Sequence, residues 1–180
     1  MASLVLGAGI VGSAAAWDLR RRGHDVTVAD VDRETTERVA TAFGATAVTI
    51  DVAKGRDLME LIGFHAVVVS AIPYSYGYAV ASAALASGTH YLDFGGNPSV
   101  VASQKRMHQD ALDNSVMIVP DCGLAPGLAN VLAEDLIAGA SPGIIDSIQM
   151  RVGALPQTPI GALEYQLAFN PAGLINEYSE

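Results

Sequence analysis

Near the start of the chain, Gly7-Ala8-Gly9-Ile10-Val11-Gly12 separates a short apolar run, Ser3–Leu6, from a helix-length segment, Val11 to Arg22. Glycines at this spacing allow three things that a Cβ forbids. Gly7 permits a tight turn, Gly9 lets the backbone approach a ligand closely, and Gly12 lets the helix pack against the strand. The opened helix N-terminus carries the positive end of its dipole, which suits a diphosphate. Arg20, Arg21 and Arg22 fall in the last turn, where cations oppose the dipole, and Gly23 is placed to end the helix. The acid Asp30 follows Gly12 by eighteen residues, at the end of a second apolar run, Val26–Ala29. A carboxylate there accepts hydrogen bonds from ribose hydroxyls, so Gly7, Gly9, Ile10, Val11, Gly12 and Asp30 form a candidate dinucleotide site. Val31-Asp32-Arg33-Glu34 comes next, with one cation among acids, which predicts NAD rather than NADP.

The same alternation continues. Asp32 to Phe43 reads as a helix with Asp32 as N-cap and Gly44 as its stop. Ala47–Ile50 and Ala66–Ser70 read as strands, the latter buried on both faces by its three consecutive valines. A helix is expected from about Tyr76 to Ser87, then a strand at His90–Phe94. Asn97-Pro98 offers an N-cap with proline at the first helical position, opening a helix to about Asn114. A strand at Val116–Val119 and a helix at Gly127–Gly139 complete the series. The pattern predicts an α/β fold, a Rossmann-type doubly wound parallel sheet. Beyond Ser141-Pro142-Gly143, Ser147, Gln149 and Arg151 alternate with Ile148, Met150 and Val152, which suits an antiparallel strand. The expected division is therefore residues 1–143, a nucleotide-binding domain, and residues 144–180, the start of a second α/β domain.

Composition narrows the function. Hydrophobic residues make up 51% of the 180, enough to form a core, and the formal charge of -9 opposes nucleic acid and anionic membranes as partners. Residues 61 to 92 carry no Asp, Glu, Lys or Arg, but Pro73, Gly77 and Gly88 interrupt them, so strand, turn and helix are expected rather than a membrane span. A single cysteine excludes a disulfide framework. Met-Ala-Ser-Leu-Val-Leu has no basic residues ahead of its apolar run, so no secretory leader and a cytoplasmic location are expected. None of the four histidines reads as catalytic, and no metal site is expected.

Ligands of open α/β sheets lie at the carboxyl ends of the strands. Asp51 and Val52 follow strand three, with Asp51 meeting the adenine amino group or capping the next helix. Ser70, Ala71, Ile72 and Pro73 run beneath the cofactor riboses. Asp93 and the glycines behind it, Gly95 first, reach the nicotinamide half, as does Asp121 after strand six. Cys122 is either a small buried apolar side chain or part of a substrate pocket. Trp17, Tyr76 and Tyr78 read as packing residues; Tyr74 is the exception.

The combination of GAGIVG (7–12), SAIPY (70–74), HYLDFGGN (90–97) and PDCGLAPG (120–127) resembles the saccharopine dehydrogenase family. GALPQTP (153–159) and GLINEY (173–178) are similar to its L-lysine 6-dehydrogenase-like branch. The resemblance implies NAD-dependent oxidation at the ε-amino carbon of lysine, giving 2-aminoadipate 6-semialdehyde and ammonia. Asp93, ahead of Asp121, would orient the amine, and Tyr74 lies in a turn similar to a substrate-contacting segment. Arg151 is the cation available for a substrate carboxylate. The substrate expected is a small amino acid or diamine.

Family members are considerably longer, with a second α/β domain that completes the cleft. The expectation is a truncated chain that binds NAD and turns over poorly, and that pairs with another copy as a homo-oligomer because its tail begins a sheet it does not complete. Two other readings stand. One is a saccharopine or carboxynorspermidine dehydrogenase. The other is a non-catalytic NAD- or ATP-sensing domain of a potassium transport system, which residues 1–75 also resemble.

Overall fold

The computed structural model describes residues 2–140, 143–153, 156–162 and 175. Six parallel strands, β1 (Ala2–Leu6), β2 (Asp25–Asp30), β3 (Thr46–Thr49), β4 (Val67–Ser70), β5 (His90–Asp93) and β6 (Ile118–Val119), form one sheet in the order β3-β2-β1-β4-β5-β6. Every described pairing is parallel. The chain starts at the centre, builds outward to β3, and returns beside β1 to build the other way. That reversal between β1 and β4 is the switch point of a Rossmann fold, where the carboxyl ends of the strands open a crevice.

Strand periodicity explains the two cores. Leu4 and Leu6 of β1 face one side, packing with Val68, Tyr91 and the helices α3 (Gly55–Gly63) and α4 (Gly77–Ala86) through Leu58, Ile62, Val80 and Ala84. Val5 faces the other side and packs with Val28, Val69, and with Ala16 of α1 (Ile10–Arg21) and Val39 of α2 (Arg33–Phe43). Burial on both faces is what the valine-rich runs require.

The helix signals act as read. The Asp32 carboxylate accepts from the Thr35 amide at 3.2 Å, and Gly44 closes α2 in the left-handed region at φ 68°. Asn97 Oδ1 accepts from Val100 N at 3.1 Å and opens α5 (Pro98–Lys105). The single helix expected to Asn114 is instead two. A tight turn, with Met107 N donating to Gln104 O at 3.0 Å, separates α5 from α6 (His108–Asp113). Gln104 and Met107, three apart and so on one face, are both buried on either side of the break, and no proline or glycine marks it in the sequence. The helix expected from Tyr76 begins as a 3-10 turn, Tyr74–Tyr76, and becomes α-helical at Gly77. α3 has no side-chain cap and follows Lys54, so no capping pattern marks its start.

By contact density the chain divides into Met1–Asp121 and Cys122–Glu180. The expected boundary at 143 falls inside the second unit, and Ser141 and Pro142 lie outside the described residues. The second unit contains α7 (Leu128–Gly139), preceded by Gly127 as N-cap. The antiparallel strand expected over Ser147–Val152 does not form among the described residues; both of its faces are exposed. Alternation specifies a strand only where a neighbour pairs with it and covers one face. Most of GLINEY, and Ala154 and Leu155 of GALPQTP, lie outside the described residues. No helix among the described residues is long and apolar enough to cross a membrane.

Leu4 is fully buried in the central strand, whereas Phe64 is 73% exposed. Leu4→Ala is expected to lower stability by about 2–5 kcal/mol. Phe64→Ala is expected to stay within about 0.5 kcal/mol. Urea unfolding midpoints of the two variants compare them directly.

Candidate functional site

The glycine turn is built from backbone packed on backbone. Gly7 adopts φ 100°, and a Cβ there would lie 2.5 Å from the carbonyl oxygen of Ala71. A Cβ on Gly12 would collide with the Gly7 carbonyl oxygen. Gly9 is different: a Cβ there would meet nothing within 4 Å. Two glycines thus close the turn, and the third opens it to free space. Gly9 also brings no side chain to cap α1, so the N–H groups of Ile10, Val11 and Gly12 are left without intrahelical acceptors. Ile10 is 79% exposed beside them. An open cradle lined by amides is the form that fits a dinucleotide diphosphate.

Asp30 closes the cradle on the β2 side. Its Oδ2 accepts from the Ala8 amide at 2.7 Å, and its Oδ1 accepts from the Asp32 amide at 3.0 Å. A carboxylate has about four acceptor positions, so both oxygens retain capacity for ribose hydroxyls. The Thr35 hydroxyl, followed by its amide, holds the neighbouring Asp32 carboxyl below the ordinary carboxylate range. The cation between these acids, Arg33, donates to Glu37 Oε1 at 2.7 Å.

The end of β4 abuts the same turn. Ala71 N donates to Leu6 O at 2.7 Å, and Ile72 packs near Gly7 and onto the core. Pro73 is exposed, while Ser70 is buried and its side chain bonds to Tyr91. Of this predicted quartet, Ala71, Ile72 and Pro73 offer surface and Ser70 faces inward. Asp51 Oδ1 accepts from Ala53 N at 3.0 Å in the turn before α3, so it does not act as the helix cap, which is Lys54. Val52 leans on the core. Trp17 is half-exposed, with the Arg21 guanidinium 5.0 Å from its ring, and Tyr76 and Tyr78 are exposed as well. These three therefore depart from the packing role expected of them: their helical positions face outward from the sheet.

At the β5 and β6 ends the two predicted acids meet, and they differ. Asp93 is 7% exposed. Its Oδ2 accepts from Gln104 Nε2 at 2.6 Å and from the Tyr91 hydroxyl at 2.8 Å. Its Oδ1 accepts from Gly95 N at 2.8 Å and from Asp121 N at 3.1 Å. Asp121 is only half-buried and sits in the left-handed region at φ 63°. Its carboxylate lies where a Cβ of Gly95 would be, and Gly95 itself adopts φ 76°. Partial burial raises the proton affinity of Asp121, the charge of Asp93 raises it further, and Lys105 partly opposes both. Tyr74 is half-buried and packs across Gly96. Burial, with the Asp93 charge adding to it, pushes the Tyr91 phenol far up, so the hydroxyl stays a donor.

Tyr91 and Gln104 were not visible as site residues in the sequence. Tyr91 sits within HYLDFGGN two residues before Asp93, so it shares that acid's face of the strand, and this is the one signal that pointed to it. Gln104 carried none. Cys122, half-buried, and Arg151, whose Nη2 donates to Gln149 Oε1 at 3.0 Å, belong to the second unit.

Residues 3–119 match the family model described as the saccharopine dehydrogenase NADP binding domain. Alpha-aminoadipic semialdehyde synthase of Bos taurus is 25% identical over 178 residues, covering 96% of this chain and 19% of that protein. Saccharopine dehydrogenase [NADP(+), L-glutamate-forming] of Pyricularia oryzae is 25% identical over 177 residues, covering 96% of this chain and 39% of that protein. The chain thus spans well under half the length of these relatives. Apo saccharopine dehydrogenase (L-Glu forming) from Saccharomyces cerevisiae has the same fold, with TM-score 0.68 and 22% identity over 76% of this chain and 30% of that one.

A carboxyl whose proton affinity is raised in the fold destabilises the native state when ionised, above its unfolded pKa, and ceases to do so as pH falls below that value. Asp121→Asn is therefore expected to stabilise the protein at pH 7 by up to about 1 kcal/mol, solvent screening included. That upper limit corresponds to a rise in melting temperature of at most about 2–4 °C. The gain should vanish as pH drops below the carboxylate range. Melting curves across pH check it.

Proposed function

Because the chain belongs to the saccharopine dehydrogenase family through its nucleotide-binding domain, we propose that it serves a dinucleotide-dependent amino-acid dehydrogenase acting on the nitrogen-bearing ε carbon of a lysine skeleton. The observation that carries this reading is the pairing of an open glycine cradle with Asp121 on the same carboxyl edge of the sheet. The cradle and Asp30 would hold the cofactor through the amides of Ile10, Val11 and Gly12 and the acceptor capacity of the carboxylate. When bound, the cofactor supplies a nicotinamide that accepts or returns hydride.

The remaining chemistry belongs to the protein. An amine must be neutral before its carbon releases hydride, and the iminium that follows is cationic. Asp121 meets both needs, as a carboxylate with raised proton affinity that takes up the ammonium proton and as an anion beside the developing positive charge. Tyr74, laid across Gly96, shapes the approach. Asp93, expected in the leading role, is saturated by four internal donors and acts on the substrate only through its neighbours.

The substrate is lysine on the resemblance of the later segments. The relatives' names favour a second reading, the secondary amine of saccharopine, which presents the same carbon to the same edge. NAD is the cofactor this site suits. A 2′-phosphate would meet Asp30 and the strongly ionised Asp32, and Arg33 is held by Glu37. The family model's description names NADP, so the preference rests on these four side chains alone.

Calorimetry with NAD and NADP on the wild type and Asp30→Ala tests the reading. NAD should bind more tightly than NADP. Losing the charged acceptor should weaken NAD by about tenfold or more and narrow the difference between the two. Lysine or saccharopine should then generate reduced cofactor at 340 nm or bind the NAD complex. Tighter binding of NADP would overturn the cofactor preference, and failure to bind either dinucleotide would overturn the reading as a whole.

A further inference from the structure

Gln104 is 1% exposed and lies on α5, where nothing in the local pattern calls for a polar side chain to turn inward. Its Nε2 donates to Asp93 Oδ2 at 2.6 Å and to the Tyr91 oxygen at 3.2 Å. Its Oε1 has no hydrogen-bond partner among the described residues. An orphaned buried carbonyl costs about 1–3 kcal/mol, and turning the amide over would set that oxygen against a carboxylate. The side chain therefore accepts a local penalty in order to keep a donor on Asp93. Tyr91, 1% exposed, brings a second donor from the β5 side.

What these donors fix is visible on the other oxygen. Asp93 Oδ1 joins two chain segments far apart in sequence, the Gly95 amide after β5 and the Asp121 amide after β6. Both residues are in the left-handed region, and the Asp121 carboxylate occupies the room that Gly95 leaves. A non-glycine residue at positive φ persists only when its surroundings over-determine it. The amide bond to Asp93 and the missing Cβ of Gly95 are that determination. Gly77 completes the enclosure, because a Cβ there would come within 3.2 Å of Gln104 Nε2.

We propose that Gln104 and Tyr91 are positioning residues for Asp121: by holding the Asp93 carboxylate in place, they fix the Asp121 backbone and aim its side chain into the carboxyl-edge crevice. This rests on the reading of Asp121 as the group that meets the substrate amine. The charged groups that face Asp121 are Asp93 from the end of β5 and Lys105 from α5.

Gln104→Met tests it, since methionine keeps the volume, removes the donor and removes the orphaned oxygen. Amide hydrogen exchange and the 13C-carboxyl titration of Asp121 are read on the ligand-free full chain. Exchange at Gly95 and Asp121 should rise on the order of tenfold, while Val5 and Val69 in the core exchange as in the wild type. The Asp121 midpoint should fall toward the ordinary carboxylate range as Asp93 is no longer held beside it. Unchanged exchange at Gly95 and Asp121, or equal acceleration in the core, overturns the proposal. Should Gln104→Met not fold, Tyr91→Phe removes the other donor; the same faster exchange at Gly95 and Asp121 supports the proposal there, and its absence overturns it. No cofactor or substrate enters, so the dehydrogenase reading can fail in calorimetry and turnover while this one stands, and the reverse.

Discussion

The contact on which the crevice depends is between main-chain atoms, the carbonyl of Gly7 against the α carbon of Gly12. No residue with a Cβ fits at position 12, and the carbonyl of Ala71 imposes the same limit at position 7. Because these strand ends and the helix start approach so closely through their backbones, the N-terminus of α1 is brought to the edge of the central strand. Asp30 then ties β2 to the same turn through the Ala8 amide. One side chain thereby both ties the glycine turn to β2 and keeps acceptor capacity at the carboxyl end of that strand.

The opposite half of the edge is organised by a charge that has been taken inside. Asp93 is removed from solvent, but each of its oxygens receives two donors, so its burial is compensated. The fixed negative charge in turn acts on Asp121, which is half-exposed and made a stronger base. The two neighbouring carboxylates thus differ in environment, one saturated by internal donors and the other half-exposed. Environments that push the proton affinities of two neighbouring acids apart are a common way for a fold to make them chemically distinct.

Much of the fold was legible from residues close together in the chain. Asp32 with Thr35, Asn97 with Val100, Gly23 and Gly44 after their helices, and the valine runs of β2 and β4 each state their conformation within a few positions. The failures have equally specific causes. Asn97–Asn114 carries an uninterrupted helical pattern, yet the helix breaks at a tight turn between Gln104 and Met107, where no glycine or proline announces it. Ser147–Val152 alternates as a strand should, but alternation needs a pairing edge, and none is described beside it. Asp93 and Asp121 look alike in the sequence, each an acid at a strand end with a glycine two positions on, and nothing local separates the buried one from the open one.

The sequence alone determined the order along the chain of the six strands of the sheet, the glycine turn, and the acid that closes it, because each depends on patterning or steric rules acting over a few bonds. Tertiary structure alone decided which carboxylate is buried and which stays half-exposed. That outcome requires Tyr91 from β5, Gln104 from α5 and the amides after two different strands to converge on Asp93, the farthest of them 28 positions away. Convergence over that distance is a property of how the elements pack, and no short stretch of sequence carries it.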